Sequence, residues 1–202
     1  MGDPKKLKKK YSTPMHPWIA SAIVSERKIL KEYGLKNKQD ILVASSFLKK
    51  YKNISKRLSA HKTSQNEKEK QQVLTKLQNL GLLPAGSELH QILALELPDI
   101  LERRLQSIVF RHGLARSMKQ ARQFIVHRHI SISNKEITGP SYLVTLEEAA
   151  AVTFKERSTL ASEDHPERIE VGKVETIEKA AERTIQESQQ KKVEENNETI
   201  AE

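Results

Sequence analysis

The sequence predicts an α+β fold: an N-terminal helical subdomain over 17–96, then a compact module of two helices and a small sheet over 97–155. Between residues 17 and 112 apolar residues recur at spacings of three and four and are interrupted by glycines, the mark of amphipathic helices. Past His129 the apolar period falls to two, with turn residues between short runs. Charge separates the ends: residues 1–62 hold 16 Lys/Arg against 4 Asp/Glu, whereas 156–202 hold 7 against 13. With so few large apolar groups, residues 1–16 are expected as a disordered basic arm and 156–202 as an acidic, disordered tail.

A chain of 202 residues holds one large domain or two small ones. Aromatics make up only 4% and charged residues 30%, so the core is aliphatic and the surface heavily charged. Without cysteine, disulfides, thiolate metal sites and cysteine nucleophiles are excluded, in keeping with an intracellular protein. No apolar run reaches the ~18 residues of a bilayer span, and no apolar signal region follows the basic N-terminus; a soluble, untargeted chain is expected.

In chain order, the arm carries Lys5, Lys6, Lys8, Lys9 and Lys10. Leading straight into a domain, it is expected to lie along a polyanion, in preference to mere solvation or an anionic membrane surface, because each neutralised phosphate releases counterions. Pro17 suits a first helical position, and Trp18, Ile19, Ala22, Ile23, Ile29 and Leu30 mark the stripe of a helix that Gly34 stops. Trp18, the only tryptophan, is expected as a core anchor in preference to a base-stacking platform.

After a basic connector, a helix over about 39–59 places Ile41, Leu42, Ala44, Phe47, Leu48, Tyr51 and Ile54 inside. It shows Lys49, Lys50, Lys52, Lys56 and Arg57 outward. Mixed-sign helix surfaces gain about 0.2–0.5 kcal/mol per i,i+4 pair, so cations without partners imply an external anion. A third helix follows, with Ser64 near its N-cap, Glu67 completing a capping box and Gly81 at its stop. Leu89, Ile92, Leu93 and Leu95 form a short apolar segment.

The module opens with one helix whose stripe is Leu97, Leu101, Leu105, Ile108 and Val109, leaving Glu102, Arg103, Gln106 and Arg111 in water. Gly113 ends it, since glycine takes the left-handed C′ conformation without a Cβ penalty. Ser117 caps the second helix, with Met118, Ala121, Phe124 and Ile125 inside. Arg116, Gln120, Gln123 and His127 step along another face beside Lys119 and Arg122. A helix N-terminus of this kind suits an anionic oxygen; the plainer alternative is a solvated basic face. Then Ile130-Ser131-Ile132, a turn at Ser133-Asn134-Lys135, Ile137, Tyr142-Leu143-Val144 and Val152-Thr153-Phe154 read as a small sheet.

The run Gly113-Leu114-Ala115-Arg116-Ser117, then Gln120 to Ile125, His127, His129-Ile130 and Pro140-Ser141-Tyr142 resembles the RNA-binding domain named after small-subunit ribosomal protein S-four. The opening GDPKKLKKKYSTPMHPWI, the central KEYGLKNKQ and the LERRLQSIVFRHGLARS segment look like the archaeal type of that family, so the resemblance covers roughly 1–155. Two positions depart from the pattern: Arg128 stands where members often carry glycine, and Asn134-Lys135 lacks the usual hairpin glycine.

The resemblance implies a structural constituent of the small ribosomal subunit. Such a protein is a primary 16S rRNA binder that nucleates assembly by clamping an RNA helix junction, ribosome-bound in the cytoplasm beside other small-subunit proteins. Expected phosphate contacts are the arm and second-helix cations together with Arg103, Arg104, Arg111, Arg116, Lys119, Arg122, Arg128 and Lys135. Ser117, Gln120, Gln123, His127, Ser131 and Tyr142 complete the expected contact set, at sugars, bases or the helix cap. Both basic regions are expected to meet one polyphosphate ligand.

No GxxxxGK[ST], HExxH or GxSxG motif occurs, so no enzyme, cofactor or small-molecule substrate is expected. His127-x-His129 lacks a third ligand nearby and reads as helix-end polar groups rather than a metal site. The alternative is an RNA-binding accessory subunit of an RNA-modifying enzyme.

Overall fold

The structure, a computed structural model, describes residues 9–60, 63–162 and 165–168. Lys5, Lys6, Lys8 and the tail expectation beyond Arg168 lie outside the described residues.

Helix α1 (Ala20–Glu32) begins after Pro17, not at it. Pro17 and Trp18 form a turn ahead of the helix, and Trp18 is 86% exposed, which overturns its expected place in the core. The cause lies in how α1 docks. None of its residues is fully buried, and only Ile29 and Leu30 near its C-terminal end pack on the core. Gly34 then turns the chain with φ +56°, and a Cβ there would stand 2.8 Å from that of Met118. Glycine is required at this point both for its backbone and for the close approach.

Helix α2 (Lys38–Ala60) buries Ile41, Ala44, Tyr51, Ser55 and Leu58 along one stripe. Helix α3 (Ser64–Asn79) packs against it, capped by Thr63, one residue before the expected Ser64; Thr63 Oγ1 accepts from the Asn66 amide at 3.3 Å. The short α4 (Gln91–Ala94) buries Ile92. Tyr51, Leu77, Leu83, Ile92 and Leu95 form one core cluster of this helical part.

The single helix expected from Leu97 is two: α5 (Leu97–Glu102) and α6 (Leu105–Arg111). The break is caused by competition for backbone hydrogen bonds. Arg104 turns extended and bridges Leu143, while Leu105 N donates to Tyr142 O at 2.8 Å and Val144 N to Arg103 O at 3.0 Å. Residues 142–144 therefore clasp the break and do not join the sheet, as the alternation had suggested. Gln106, expected in water, is 1% exposed. Its Nε2 donates to the carbonyls of Tyr33, Gly34 and Met118 at 3.3, 3.2 and 2.8 Å, pinning the α1–α2 corner to the module.

Helix α7 (Met118–Val126) and α6 form a packed pair over a three-stranded antiparallel sheet ordered β2-β1-β3. Its strands are β1 (Ile130–Ile132), β2 (Lys135–Glu136) and β3 (Val152–Phe154). Ser131 pairs with Glu136 on one side and with Thr153 on the other. Ser133 and Asn134 take φ of 45° and 66°, the pair of left-handed residues that a two-residue hairpin turn needs, so the turn forms without glycine. Leu105, Val109, Ala121, Ile125, Ile130 and Val144 are fully buried in the module core.

A further helix, α8 (Leu146–Ala150), has a capping box between Thr145 and Glu148. Leu160 is 4% exposed and belongs to the module core, so packing continues past residue 155.

Candidate nucleic-acid interface

The site is built on α7. Ser117 Oγ accepts from the Gln120 amide at 3.2 Å, and Gln120 Oε1 accepts from the Arg116 amide at 2.7 Å. The cap satisfies the Gln120 N–H, one of those a helix start leaves open, and ties the residue before the cap to the first turn. Ala121, Phe124 and Ile125 anchor the inner face, which turns Lys119, Gln123 and His127 outward to solvent.

At the other end the chain leaves through a Schellman motif. His129 N donates to Phe124 O at 3.0 Å and Arg128 N to Ile125 O at 3.1 Å. The left-handed C′ residue of such a motif is usually glycine, and here it is Arg128 at φ 63°. An exposed guanidinium is thereby held at the corner between helix and sheet. Beyond it, Lys155 and Arg157 gather near Glu136, which Lys155 hydrogen-bonds; that bond first, then the charges of Lys155, Arg128 and Arg157, hold the Glu136 carboxyl below the usual range.

Lys155 and Arg157 belong to this patch and are absent from the expected contacts, Lys155 although it is the last residue of the expected module. The signal was the third strand: once Val152 pairs with Ile132, Lys155 must fall beside His129, and its amide donates to His129 O at 2.8 Å.

His129 Nδ1 lies 2.8 Å from Ser158 Oγ, and its ring packs edge-on against Phe124. Burial first, then the charges of His127 and His165, push its pKa down. The folded chain thus takes up this proton less readily than the unfolded one, and the group costs stability as pH falls through about 6.5. An NMR titration is expected to place the His129 midpoint below that free-imidazole value; a midpoint at or above it would contradict the packing described. Among the described residues no group of three His, Asp or Glu could hold a metal ion.

Several expected contacts stand elsewhere. Arg104 is 4% exposed and lies 3.4 Å from Asp40 on α2, with Arg122 at 3.8 Å from the same carboxylate. Burial lowers the Arg104 pKa against the opposing pull of Asp40. Ser131 is 7% exposed inside β1. Arg104 and Ser131 are structural residues here, because the break between α5 and α6 and the central strand both turn inward. Arg103 donates to Val144 O at 3.0 Å and is half-buried. Arg111 pairs with Glu102 at 2.5 Å, and Tyr142 Oη donates to Glu148 at 2.8 Å. Arg116 reaches the carbonyls of Pro166 and Arg168, while Gln120 Nε2 donates to Glu167 at 2.8 Å. Lys135 is exposed on β2.

The second basic region joins the arm. Ser12 N donates to Ser46 Oγ on α2 at 2.9 Å, which ties the end of the arm to α2 one turn before Lys49 and Lys50. Lys49, Lys50 and Lys56 are exposed and Lys52 is half-buried; none of the four forms an ion pair among the described residues. Arg57, expected without a partner, pairs with Glu69 of α3 at 2.9 Å. The α7 patch approaches α2 at Asp40, and Lys49 to Arg57 begin about 13 Å further along that helix at 1.5 Å per residue. The structure thus presents two cationic areas on one molecule, separated by the seam at Asp40.

A cation-lined face on a capped helix, set over a small antiparallel sheet, has the electrostatic footprint of a surface that takes a polyanion. Residues 103–149 match the S4 domain. The chain is 46% identical over 171 residues to small ribosomal subunit protein uS4 of Methanococcus aeolicus, covering 84% of this chain and 97% of that one. It is 45% identical over 169 residues to the protein of the same name from Methanococcus maripaludis strain C5, covering 83% and 95%. The chain belongs to the small ribosomal subunit protein uS4 family. Membership places it among ribosomal proteins and outside the enzymes. No helix among the described residues is long and apolar enough to cross a membrane.

Proposed function

We propose that the chain is a primary rRNA-binding protein of the small subunit, ribosome-bound in the cytoplasm, which nucleates assembly by clamping a junction of 16S rRNA helices beside neighbouring small-subunit proteins. The observation that carries this is the pair of cationic areas: Lys119, Arg128 and Lys135 with Arg116 on the module, and the arm with Lys49, Lys50 and Lys56 on α2. Two separated areas suit two RNA segments better than one straight duplex. Sidelong reading of bases is not required, because the deep A-form major groove excludes side chains and shape and phosphates set recognition.

A salt titration with a folded multi-helix rRNA junction tests this. Each phosphate contact contributes about −0.7 to −0.9 to the slope of log K against log salt, so five or more contacts predict a slope of about −4 or steeper. A slope near zero would reject the phosphate mechanism. The chain is also expected to remain with small ribosomal subunits through a high-salt wash; recovery instead with an RNA-modifying enzyme would replace the proposal by the accessory-subunit reading.

A further inference from the structure

We infer that Trp18 is a stacking platform for an unpaired nucleobase, a contact that rests on the rRNA reading above and adds a site to it. The indole is 86% exposed, with Met15 88% and Ile19 48% exposed beside it. A tryptophan offers a large apolar area, and leaving it in water forfeits the burial that would otherwise stabilise the fold.

The ring is not on a loose end. The Ser12 amide is tied to Ser46 of α2 at 2.9 Å, α1 begins at Ala20, and Pro14 and Pro17 restrict the backbone between. The ring borders a groove of about 720 Å³, whose walls include Pro14, Ile23, Leu30 and Leu42. Arg27 and Lys38 stand at the same groove, Lys38 held by Glu26 at 2.6 Å.

Charge selects the occupant. Of the charged side chains at the groove, Lys38 is answered by Glu26, and Arg27 has no ion pair among the described residues. A base laid on the indole would bring its phosphates to the side of the groove that carries Arg27. An apolar protein face would bury the Arg27 guanidinium unanswered, and a second copy of the chain would set Arg27 against Arg27. Base–aromatic stacking depends little on base identity, because every base has a π-face, and needs only that the base be unpaired.

The full chain contains one tryptophan, so its emission reads this site directly. The probes are a dye-labelled RNA junction with a run of unpaired adenosines and the same junction fully paired. Dye anisotropy reports binding, and tryptophan emission reports stacking. The unpaired junction is expected to quench the emission by at least half. Trp18→Ala should weaken binding of that RNA about tenfold, in the range that stacking losses reach, and leave the paired RNA nearly unaffected. Trp18→Tyr should retain most of the affinity, whereas Trp18→Leu, apolar but without a ring, should behave as Trp18→Ala.

Binding without quenching, equal losses on both RNAs, or full affinity in Trp18→Leu would each overturn the inference while leaving the rRNA reading in place. An emission change that grows with chain concentration in the absence of RNA would assign the indole to a second copy, and one seen only on adding small-subunit proteins would assign it to a protein neighbour. Failure of both RNAs to bind by anisotropy would remove the rRNA reading and this inference together.

Discussion

Replacing Arg116 and Lys119 together by glutamate is expected to weaken binding of a small-subunit rRNA junction by roughly two orders of magnitude near physiological salt, with a slope against log salt shallower by about 2. Both side chains are exposed and neither forms an ion pair among the described residues, so the melting point should hold. Arg116 gives up its bonds to the carbonyls of Pro166 and Arg168, which lie at the surface. Anisotropy titrations with a thermal melt on the same samples separate affinity from folding. Unchanged affinity would remove α7 from the interface. The structure also dictates the choice of pair: Arg122→Glu would set a second carboxylate against Asp40, 3.8 Å from the present guanidinium, and confuse lost binding with lost stability.

A clear loss of stability, without creating a cavity, is expected away from that surface at Gln106→Leu. The two side chains are close in volume, so little cavity forms. What disappears is one amide nitrogen shared by three carbonyls at a site 1% exposed. Leaving buried acceptors without a donor costs about 1–3 kcal/mol, offset in part because Gln106 Oε1, itself buried without a partner, goes too. Urea unfolding should show the midpoint falling with the slope unchanged. A variant as stable as the parent would mean that the α1–α2 corner and α7 are held together by apolar packing alone.

Particular residues explain what the sequence disclosed and what it withheld. Ser117, Gly113 and the apolar positions of α7 act within one turn of themselves, so local chemistry reveals them. The hairpin was legible for the same reason: Asn134 tolerates the left-handed turn on its own account. The break at Arg103-Arg104 was not, because its cause is a backbone partner some forty residues away at 142–144. Gln106 looked like a surface residue by its type and became the joint of the fold through three long-range carbonyls. In α8 the Thr145-x-x-Glu148 signature marks a helix start, but the helix is only five residues long and carries no apolar period of its own between the runs at 142–144 and 152–154. Of the candidate site, charge type was readable and burial was not. Arg104 and Lys119 are equally cationic in the sequence, yet only tertiary packing turns the first toward Asp40 and the second to solvent.

Asp40 answers two guanidinium groups with a single carboxylate, at 3.4 Å from Arg104 and 3.8 Å from Arg122. One unit of positive charge is therefore left over where the helical half and the sheet-bearing half meet. An anionic strand laid across that junction would act as mortar. By mass action it would favour the joined arrangement over any in which the halves part.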